Sequence, residues 1–276
     1  MERSVAMPAA FAHYRFGQAV LSRLPPEKQT SIQAHRSLYD LGLQGPDLLF
    51  HYRPLGHDPL NGPGSLIHEA PAEAFFRPAG QLLCRSRDSE ALTVYIWGFL
   101  CHFALDWHCH GYIGATVAAG GPGHLAMETD FDRALLAEAG LPVSPGSTAG
   151  CIKPSRSNAR LISVLFPGVS VGQLYMAMAT MSLNQRFLSS QSPLVRGLVK
   201  TALKLCGRYE KLGPMLLHPQ PDPRCEESSR QLMICYTQAQ DTALRLVEDF
   251  RSSAQGLRDY DPLYQFNFNA IKEVTP

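Results

Sequence analysis

Histidines and an aspartate share one short stretch of the chain, and their spacing is the first indication of chemistry. His102, Asp106 and His110 stand four residues apart in the sequence CHFALDWHCH. Residues four apart lie on one face of an α-helix, about 5–6 Å from each other. Imidazole and carboxylate groups are zinc ligands. A helix rises about 12 Å over eight residues, so one ion fits all three side chains poorly. The stripe therefore predicts two neighbouring ions.

A second pair repeats this pattern downstream. His124 and Glu128 again stand four residues apart, after a glycine-rich connection over residues 118–123. We expect this connection to fold the second helix back, so that the pair joins His110 in a site of two histidines and one carboxylate. A single pair of this kind is usually a surface ion pair. Two pairs linked through an apolar helix indicate metal binding, because buried charges without compensation are costly. His108 is predicted to face elsewhere.

Helices must position these side chains, and periodicity predicts helices along most of the chain. We predict them over residues 9–24, 26–42, 70–86, 88–114, 124–140, 168–190, 193–211 and 226–254. Loops are predicted over 52–65, 118–123, 140–158 and 213–224. The third loop is either a domain boundary or, more simply, a loop within one domain. The predicted fold class is all-α, a single multi-helix domain over residues 1–276 with a buried multinuclear metal cleft. It has a metal-binding half, 1–140, and a helical C-terminal half, 159–276.

Composition excludes several classes of function. The chain has 276 residues, 45% hydrophobic and 18% charged, which is typical of a globular protein. Its net charge of +1 provides no overall field for nucleic acid, and no specific nucleic-acid partner is expected. The first 25 residues do not read as a secretory signal. The most apolar run, residues 91–105, is shorter than the roughly 20 residues of a membrane span. Seven scattered cysteines favour reduced thiols. We therefore expect a cytoplasmic protein.

The N-terminal half resembles the bacterial zinc-dependent phospholipase C family. The matching motifs occur in the family's order and run from AHYRFG, over residues 12–17, to HLAMETDFD, which begins at His124. Between them lie LGLQGPD, ending at Asp47, then His68 before EAPAEAFF, and GFLCHFALDWHCH over residues 98–110. The resemblance weakens after residue 150. It implies an all-helical domain that holds three zinc ions at the bottom of a cleft.

The resemblance also implies a ligand for each ion. The first ion would be surrounded by Asp47, His68, His102 and Asp106. The second would be held by His110, His124 and Glu128. The third would be held by His13, with Asp106 as a shared carboxylate. Secreted relatives complete the third site with an N-terminal Trp, and Pro8 is the candidate here if the chain starts after Met7. We therefore expect two to three zinc ions.

The remaining histidines have other assignments. His51 and His57 lie in or beside the loop near the first site and are alternatives to His68, which ranks first because EAPAEAFF follows it as in the family. His35 and His218 are predicted to be surface or structural residues.

This ligand set predicts the hydrolysis of a phosphodiester. Zinc ions about 3.5–4 Å apart lower the pKa of a bridging water and neutralise the leaving oxygen. Asp47 is the candidate catalytic residue, which orients or deprotonates the water unless it is only a ligand. The expected substrate is a phospholipid or another phosphodiester. A nuclease-like phosphodiesterase of the same fold is an alternative, although no base-stacking platform stands out. A zinc-stabilised binding module without turnover is a second alternative.

One further segment suggests a membrane partner. Basic residues stand at every fourth position on a predicted helix that also carries apolar side chains. The basic residues are Arg196, Lys200, Lys204 and Arg208, and the apolar ones are Leu194, Leu198, Ala202 and Leu205. Such a helix either makes peripheral contact with anionic lipid or forms the solvated face of a bundle helix. No feature of the sequence indicates an oligomeric state.

Overall fold

The computed structural model describes residues 10–54, 59–148 and 152–272. Within these ranges the chain is built from α-helices and short 3-10 segments, and no β-strand is formed beyond one isolated bridge between Phe266 and Lys272. The predicted all-α fold class is therefore confirmed, as one helical domain. The helices are α1 Ala10–Arg23, α2 Pro26–Ala34, α3 Arg36–Gly42, α4 Asn61–Glu69, α5 Glu73–Leu83, α6 Ser89–Ala118, α7 His124–Glu138, α8 Pro145–Thr148, α9 Arg156–Ile162, α10 Val171–Leu188, α11 Pro193–Leu205, α12 Tyr209–Leu212 and α13 Glu226–Ala254.

Helix α6 is the centre of the fold. It has 30 residues and is buried on all sides from Leu92 to Asp106, as its nearly continuous apolar sequence requires. It packs against α3 and α13 most extensively, and also against α1 and α7. Among the described helices, none combines the length and apolar character needed to cross a bilayer.

Two glycines bring α3 and α6 into close contact. A Cβ atom on Gly42 would overlap the carbonyl oxygen of Tyr95, and one on Gly98 would overlap that of Tyr39. The chain then turns into a 3-10 helix, Gly45–His51, which packs against α4, α6 and α10. This close approach therefore carries the 3-10 helix onto the centre of α6.

Several predicted boundaries are wrong. Residues 26–42 form two helices that meet at His35, where the backbone leaves the helical conformation. Helix α4 lies partly within the loop predicted over 52–65, and its Asn-Gly-Pro-Gly start explains the error, because these residues usually signal a turn. The 140–158 loop contains α8 and the start of α9. The helix predicted over 193–211 ends at Leu205, because Gly207 turns the backbone to a φ of +64°. Arg208 is therefore not part of the basic helical stripe.

Apolar side chains form two clusters among the described residues. The larger one surrounds α6 and includes buried residues of most helices. The smaller one, here called the second apolar cluster, consists of Phe50, Leu203, Leu212 and Met215. It joins the 3-10 helix that begins at Gly45 to helices α11 and α12. The six described cysteines are all free thiols.

Candidate metal centre

Asp106 is the hub of a buried cluster of imidazoles and carboxylates. Its Oδ2 lies 3.0 Å from Nε2 of His102 and 3.8 Å from Nε2 of His68. Its Oδ1 lies 3.4 Å from Nε2 of His13 and 3.5 Å from Nε2 of His110. One carboxylate, only 2% exposed, thus faces four imidazole rings. The two oxygens divide these rings into two sets, which suits a carboxylate shared between ions.

A first group of candidate ligands joins three separate elements. Asp47 comes from the 3-10 helix, His68 from α4 and His102 from α6, and their ligand atoms all lie within 4.8 Å of one another. Nε2 of His68 lies 2.9 Å from Oδ1 of Asp47, and Nε2 of His102 lies 3.5 Å from Oδ2 of the same residue. The tight packing of α3 on α6 is what brings the 3-10 helix into this group.

Backbone carbonyls orient the two histidines of this group. Nδ1 of His68 donates to the carbonyl oxygen of Gly64 at 3.0 Å, and Nδ1 of His102 donates to that of Leu43 at 3.2 Å. A ring whose Nδ1 carries the proton keeps the Nε2 lone pair for a metal ion. Gly45, with a φ of +51°, leaves room for the His102 ring, because a Cβ atom there would overlap it. These contacts fix both rings with Nε2 toward the carboxylates.

A second group lies at the far end of the α6 stripe. His110, His124 and Glu128 also have ligand atoms within 4.8 Å of one another. Oε1 of Glu128 lies 2.9 Å from Nε2 of His124 and 3.4 Å from Nε2 of His110. His124 is the first residue of α7, so the turn over residues 118–123 folds this helix back. The side chain of His124 is 24% exposed, against 5% for that of His110, so this end of the cluster opens to solvent.

A third group is formed around His13. Its ligand atom lies within 4.8 Å of those of His102 and Asp106, and its ring stacks on that of His102 with centroids 4.1 Å apart. The third group therefore shares His102 with the first group, and its Asp106 also lies beside His68 of the first group. Asp132 of α7 anchors the start of α1 by accepting the backbone N–H groups of Phe11 and Ala12 at 3.3 and 2.7 Å. Pro8, considered for this site, lies outside the described residues.

Electrostatics hold the carboxylates in their charged form. Burial opposes ionisation of Asp106, but His102 and His110 keep its pKa well below the usual range. Burial likewise opposes ionisation of Glu128, yet His124 and His110 lower its pKa to about 2. Burial alone would lower the pKa of His110, but Asp106 and Glu128 outweigh it and raise the pKa to about 9. Without a metal, this imidazole therefore carries a proton that a cation would replace.

The donor atoms of these residues fit divalent metal ions. Many of these nitrogen and oxygen atoms are buried and have no hydrogen-bond partner. They nevertheless lie within 4.8 Å of one another in each group, so that their lone pairs converge on a common point. Nitrogen and oxygen donors without sulfur are typical of catalytic zinc sites. Among the candidate ligands, the buried atoms without a hydrogen-bond partner are Nε2 of His68, His102 and His124, Nδ1 of His13 and His110, both carboxylate oxygens of Asp47, Oδ2 of Asp106 and Oε2 of Glu128.

The other histidines lie apart from these three groups. His51 is buried and accepts at Nδ1 from the amide of Asn184 at 3.1 Å. Burial lowers its pKa to about 4, so the ring is neutral. His108 contacts the hydroxyl of Thr242 on α13 at 2.9 Å, which agrees with the prediction that it faces away from the ligand stripe. His35 separates α2 from α3.

Two further histidines, His218 and His57, are not part of the metal-ligand cluster that the structure describes. His218 is exposed and pairs with Arg196, as a surface residue. His57 lies outside the described residues. In the part of the chain that the structure describes, His68 and not His51 therefore approaches Asp47 at ligand distance.

The structure adds positioning residues that spacing alone did not single out. Gly45, the carbonyls of Leu43 and Gly64, and Asp132 act through the candidate ligands. Asp132 stands four residues after Glu128, within the motif HLAMETDFD, so helical spacing could have placed it on the same face. The two carbonyls had no signal in the sequence, because any residue supplies a carbonyl group.

An all-helical domain in which buried imidazoles and carboxylates form three candidate metal-binding groups is typical of helical metalloproteins. The family model described as zinc dependent phospholipase C matches residues 12–169, which is more than half of the 276 residues. The chain belongs to the zinc-dependent phospholipase C family. No curated protein and no solved structure matches the chain. The matched segment contains all eight candidate ligands and ends before α10.

Proposed function

We propose that this protein is a zinc-dependent phosphodiesterase of the phospholipase C type, with a phospholipid as its substrate. The observation that carries the proposal is the convergence of four imidazoles on Asp106 within a segment that matches the family model. The proposal includes the division into a metal-binding half, residues 1–140, and a helical C-terminal half, residues 159–276. It also includes a reducing, cytoplasmic location, for which the free thiols are the support.

The proposed metal sites number two to three. The first site takes Asp47, His68 and His102, with Asp106 as a further ligand. The second takes His110, His124 and Glu128. The third takes His13 and shares Asp106, and the described residues offer only His102 as an additional ligand there. A third ion therefore depends on sharing with the first site, so occupancy of two sites is the minimum expected.

The proposed reaction is hydrolysis at phosphorus. Zinc bound at these groups would supply a water of near-neutral pKa and positive charge for the phosphate oxygens. Asp47 orients this water or accepts its proton, and it lies in the first group with Oδ1 beside His68. The water oxygen forms a bond to phosphorus while the ester bond to the glycerol oxygen breaks. The products are a diacylglycerol and a phosphorylated head group. No serine or cysteine nucleophile is required.

An open centre favours an enzyme over a structural zinc module. Structural zinc sites are closed by protein ligands, whereas catalytic sites keep a position for water or substrate. His124 is partly exposed while the other ligands of the cluster are buried, so one side of the centre is reachable from solvent. This exposure supports turnover at the His124 side.

The proposal is tested by metal analysis together with hydrolysis assays. The purified chain is expected to contain at least two zinc ions and to release phosphorylated head group from phosphatidylcholine, with both properties removed by a chelator and restored by zinc. Single-stranded DNA serves as the competing substrate. Hydrolysis of DNA but not of phospholipid would favour the nuclease-like alternative. A full zinc content without hydrolysis of either substrate would favour the binding module.

A further inference from the structure

Helix α11 exposes the apolar side chains that an amphipathic helix normally buries. Leu194, Leu198 and Leu205 are 73%, 63% and 84% exposed. Their spacing of four and seven residues places them in a single stripe along the helix. Only Leu203 of α11 is buried. Half of the apolar side of this helix therefore faces solvent, which costs free energy unless another apolar phase covers it.

The neighbouring helix α10 extends this apolar surface. Leu183 and Phe187 are 49% and 43% exposed. Between the two helices lies a groove of about 740 Å³. Its walls are mainly apolar. Its lining includes Thr180, Phe187, Leu188, Leu198, Val199 and Leu203. The groove and the exposed side chains of both helices are here called the α10–α11 face.

The stretch of sequence that carries the α10–α11 face is positively charged. Residues 139–209 contain eight Lys and Arg residues and no Asp or Glu, although the whole chain has a net charge of only +1. Lys200 and Lys204 lie one turn apart on α11, about a third of a turn around the helix from the leucine stripe. Nζ of Lys204 also lies 5.2 Å from the centre of the Tyr209 ring. Arg196 of the same helix turns back to donate to the carbonyl oxygens of Ser190 and Leu217. An apolar stripe bordered by lysines suits the boundary between lipid head groups and acyl chains.

The α10–α11 face also lies beside the candidate metal centre. Leu203, which lines the groove, belongs to the second apolar cluster together with Phe50. The ring of Phe50 stacks on that of His68, with centroids 5.5 Å apart. Leu125, the neighbour of the partly exposed His124, packs against the same cluster. One layer of side chains thus separates the groove from the ligands.

We propose that the α10–α11 face docks on an anionic phospholipid bilayer. Leu194, Leu198 and Leu205 enter the acyl region, while Lys200 and Lys204 face the lipid phosphates. The inference rests on the proposed function, because docking here presents phosphodiester groups to the neighbouring centre. It goes further in assigning a docking role to two helices, α10 and α11, that lie outside the segment matched by the family model. The all-positive segment selects an anionic bilayer as the occupant over a second copy of the chain, which carries the same charge there.

Vesicle sedimentation with the full chain tests this docking surface. Sucrose-loaded vesicles are made of phosphatidylcholine alone or with phosphatidylglycerol. The wild type is expected to sediment with the anionic vesicles. The double variant Leu194→Asn/Leu205→Asn is expected to bind at least about tenfold more weakly, because each inserted leucine contributes several buried carbon atoms. Leu257→Asn is the matched control, since Leu257 is 75% exposed outside this face.

A charge variant tests the electrostatic part. Lys200→Gln/Lys204→Gln is expected to weaken binding to the anionic vesicles by about 10- to 30-fold, from roughly 1 kcal/mol for each lysine near the surface. The matched control is Arg85→Gln/Arg87→Gln, because both arginines are exposed on the turn after α5. Thermal midpoints and zinc contents of all variants are expected to equal those of the wild type, which shows that the fold is intact.

Docking and hydrolysis fail in distinguishable ways. Wild type that does not sediment with anionic vesicles, or that sediments no better than the leucine variant, overturns the docking surface. Wild type that is a dimer and becomes monomeric in the leucine variant also overturns it, in favour of a second copy as occupant. Hydrolysis of the water-soluble ester bis(p-nitrophenyl) phosphate by the wild type reports on the metal centre alone. If the wild type does not hydrolyse this ester but still sediments with anionic vesicles, the proposed function is contradicted and the docking surface remains supported.

Discussion

Oδ1 of Asp106 lies 3.4 Å from Nε2 of His13, a residue near the start of the matched segment, while Oδ2 lies 3.0 Å from Nε2 of His102, one helical turn away. Both oxygens of one carboxylate are therefore engaged by imidazoles that belong to different candidate sites. A single side chain couples the sites, and its removal is expected to affect more than one ion.

Asp106→Ala is accordingly expected to lower the zinc content more than His13→Ala does, because Asp106 contacts histidines of the first and third groups, whereas His13 belongs to the third group alone. Hydrolysis should fall at least about 100-fold in Asp106→Ala, since even residues that only support ligands cost 10- to 100-fold. Elemental analysis of the purified variants measures the stoichiometry. Asp241→Ala serves as a control, because its side chain is 78% exposed and distant in sequence from the ligands. Equal zinc contents in Asp106→Ala and His13→Ala would contradict a shared carboxylate.

Gly45 is expected to be intolerant of a side chain. Its φ of +51° is strained for other residues, and an added Cβ atom would meet the His102 ring. Gly45→Ala should lower the free energy of unfolding by about 1–2 kcal/mol from the backbone alone and should weaken zinc binding as the ring is displaced. Urea unfolding and competition with a zinc chelator measure the two effects.

A second glycine provides the comparison for this prediction. Gly62, within α4, has open space around its Cβ position, so Gly62→Ala is expected to be neutral or stabilising by up to about 1 kcal/mol. If both variants unfold at the same urea concentration and bind zinc equally, Gly45 is not needed to position the His102 ring, and the prediction is wrong.

Zinc binding is expected to release protons at neutral pH. Asp106 and Glu128, acting against burial, raise the pKa of His110 to about 9, so the metal-free ring is protonated at pH 7. A ligand ring must give up this proton. The number of protons released should therefore be largest below pH 8 and should fall as the pH rises through about 9. Calorimetric titrations in buffers of different ionisation enthalpy measure it. Proton release that does not change between pH 7 and pH 10 would be inconsistent with the assignment of His110.

Removal of metal is expected to destabilise the fold. Imidazoles and carboxylates packed in the interior need compensating charge, and an ion at 100 times its Kd contributes about 2.7 kcal/mol per site. For a chain of this size, each kcal/mol shifts the thermal midpoint by about 2–4 °C. Two sites should therefore shift it by about 10–20 °C. Differential scanning calorimetry with and without EDTA provides the measurement, and an unchanged midpoint would argue against bound ions in the core.

Helical spacing was enough to predict part of the candidate centre. His102, Asp106 and His110 share a face of α6 because the four-residue period is a local property. The same holds for His124 and Glu128 on α7. The prediction that His110 joins this pair also agrees with the distances, since Nε2 of His110 lies 3.4 Å from Oε1 of Glu128.

Other ligands could not be derived from local pattern. Asp47 lies on a 3-10 helix that begins at a glycine with positive φ, and His68 lies on a helix that begins with Asn-Gly-Pro-Gly. Both segments are held by tertiary packing, so only the family resemblance indicated them. The pattern of α11 likewise predicted an amphipathic helix but not the exposure of Leu194, because periodicity does not distinguish a buried apolar face from an open one.

Anomalous diffraction from crystals grown with zinc, recorded on both sides of the zinc absorption edge, tests the central claim most directly. The account predicts at least two anomalous peaks, one bounded by Asp47, His68 and His102 and one by His110, His124 and Glu128, with Asp106 facing the first. Zinc peaks confined to surface residues such as His218, with none among these side chains, would contradict it.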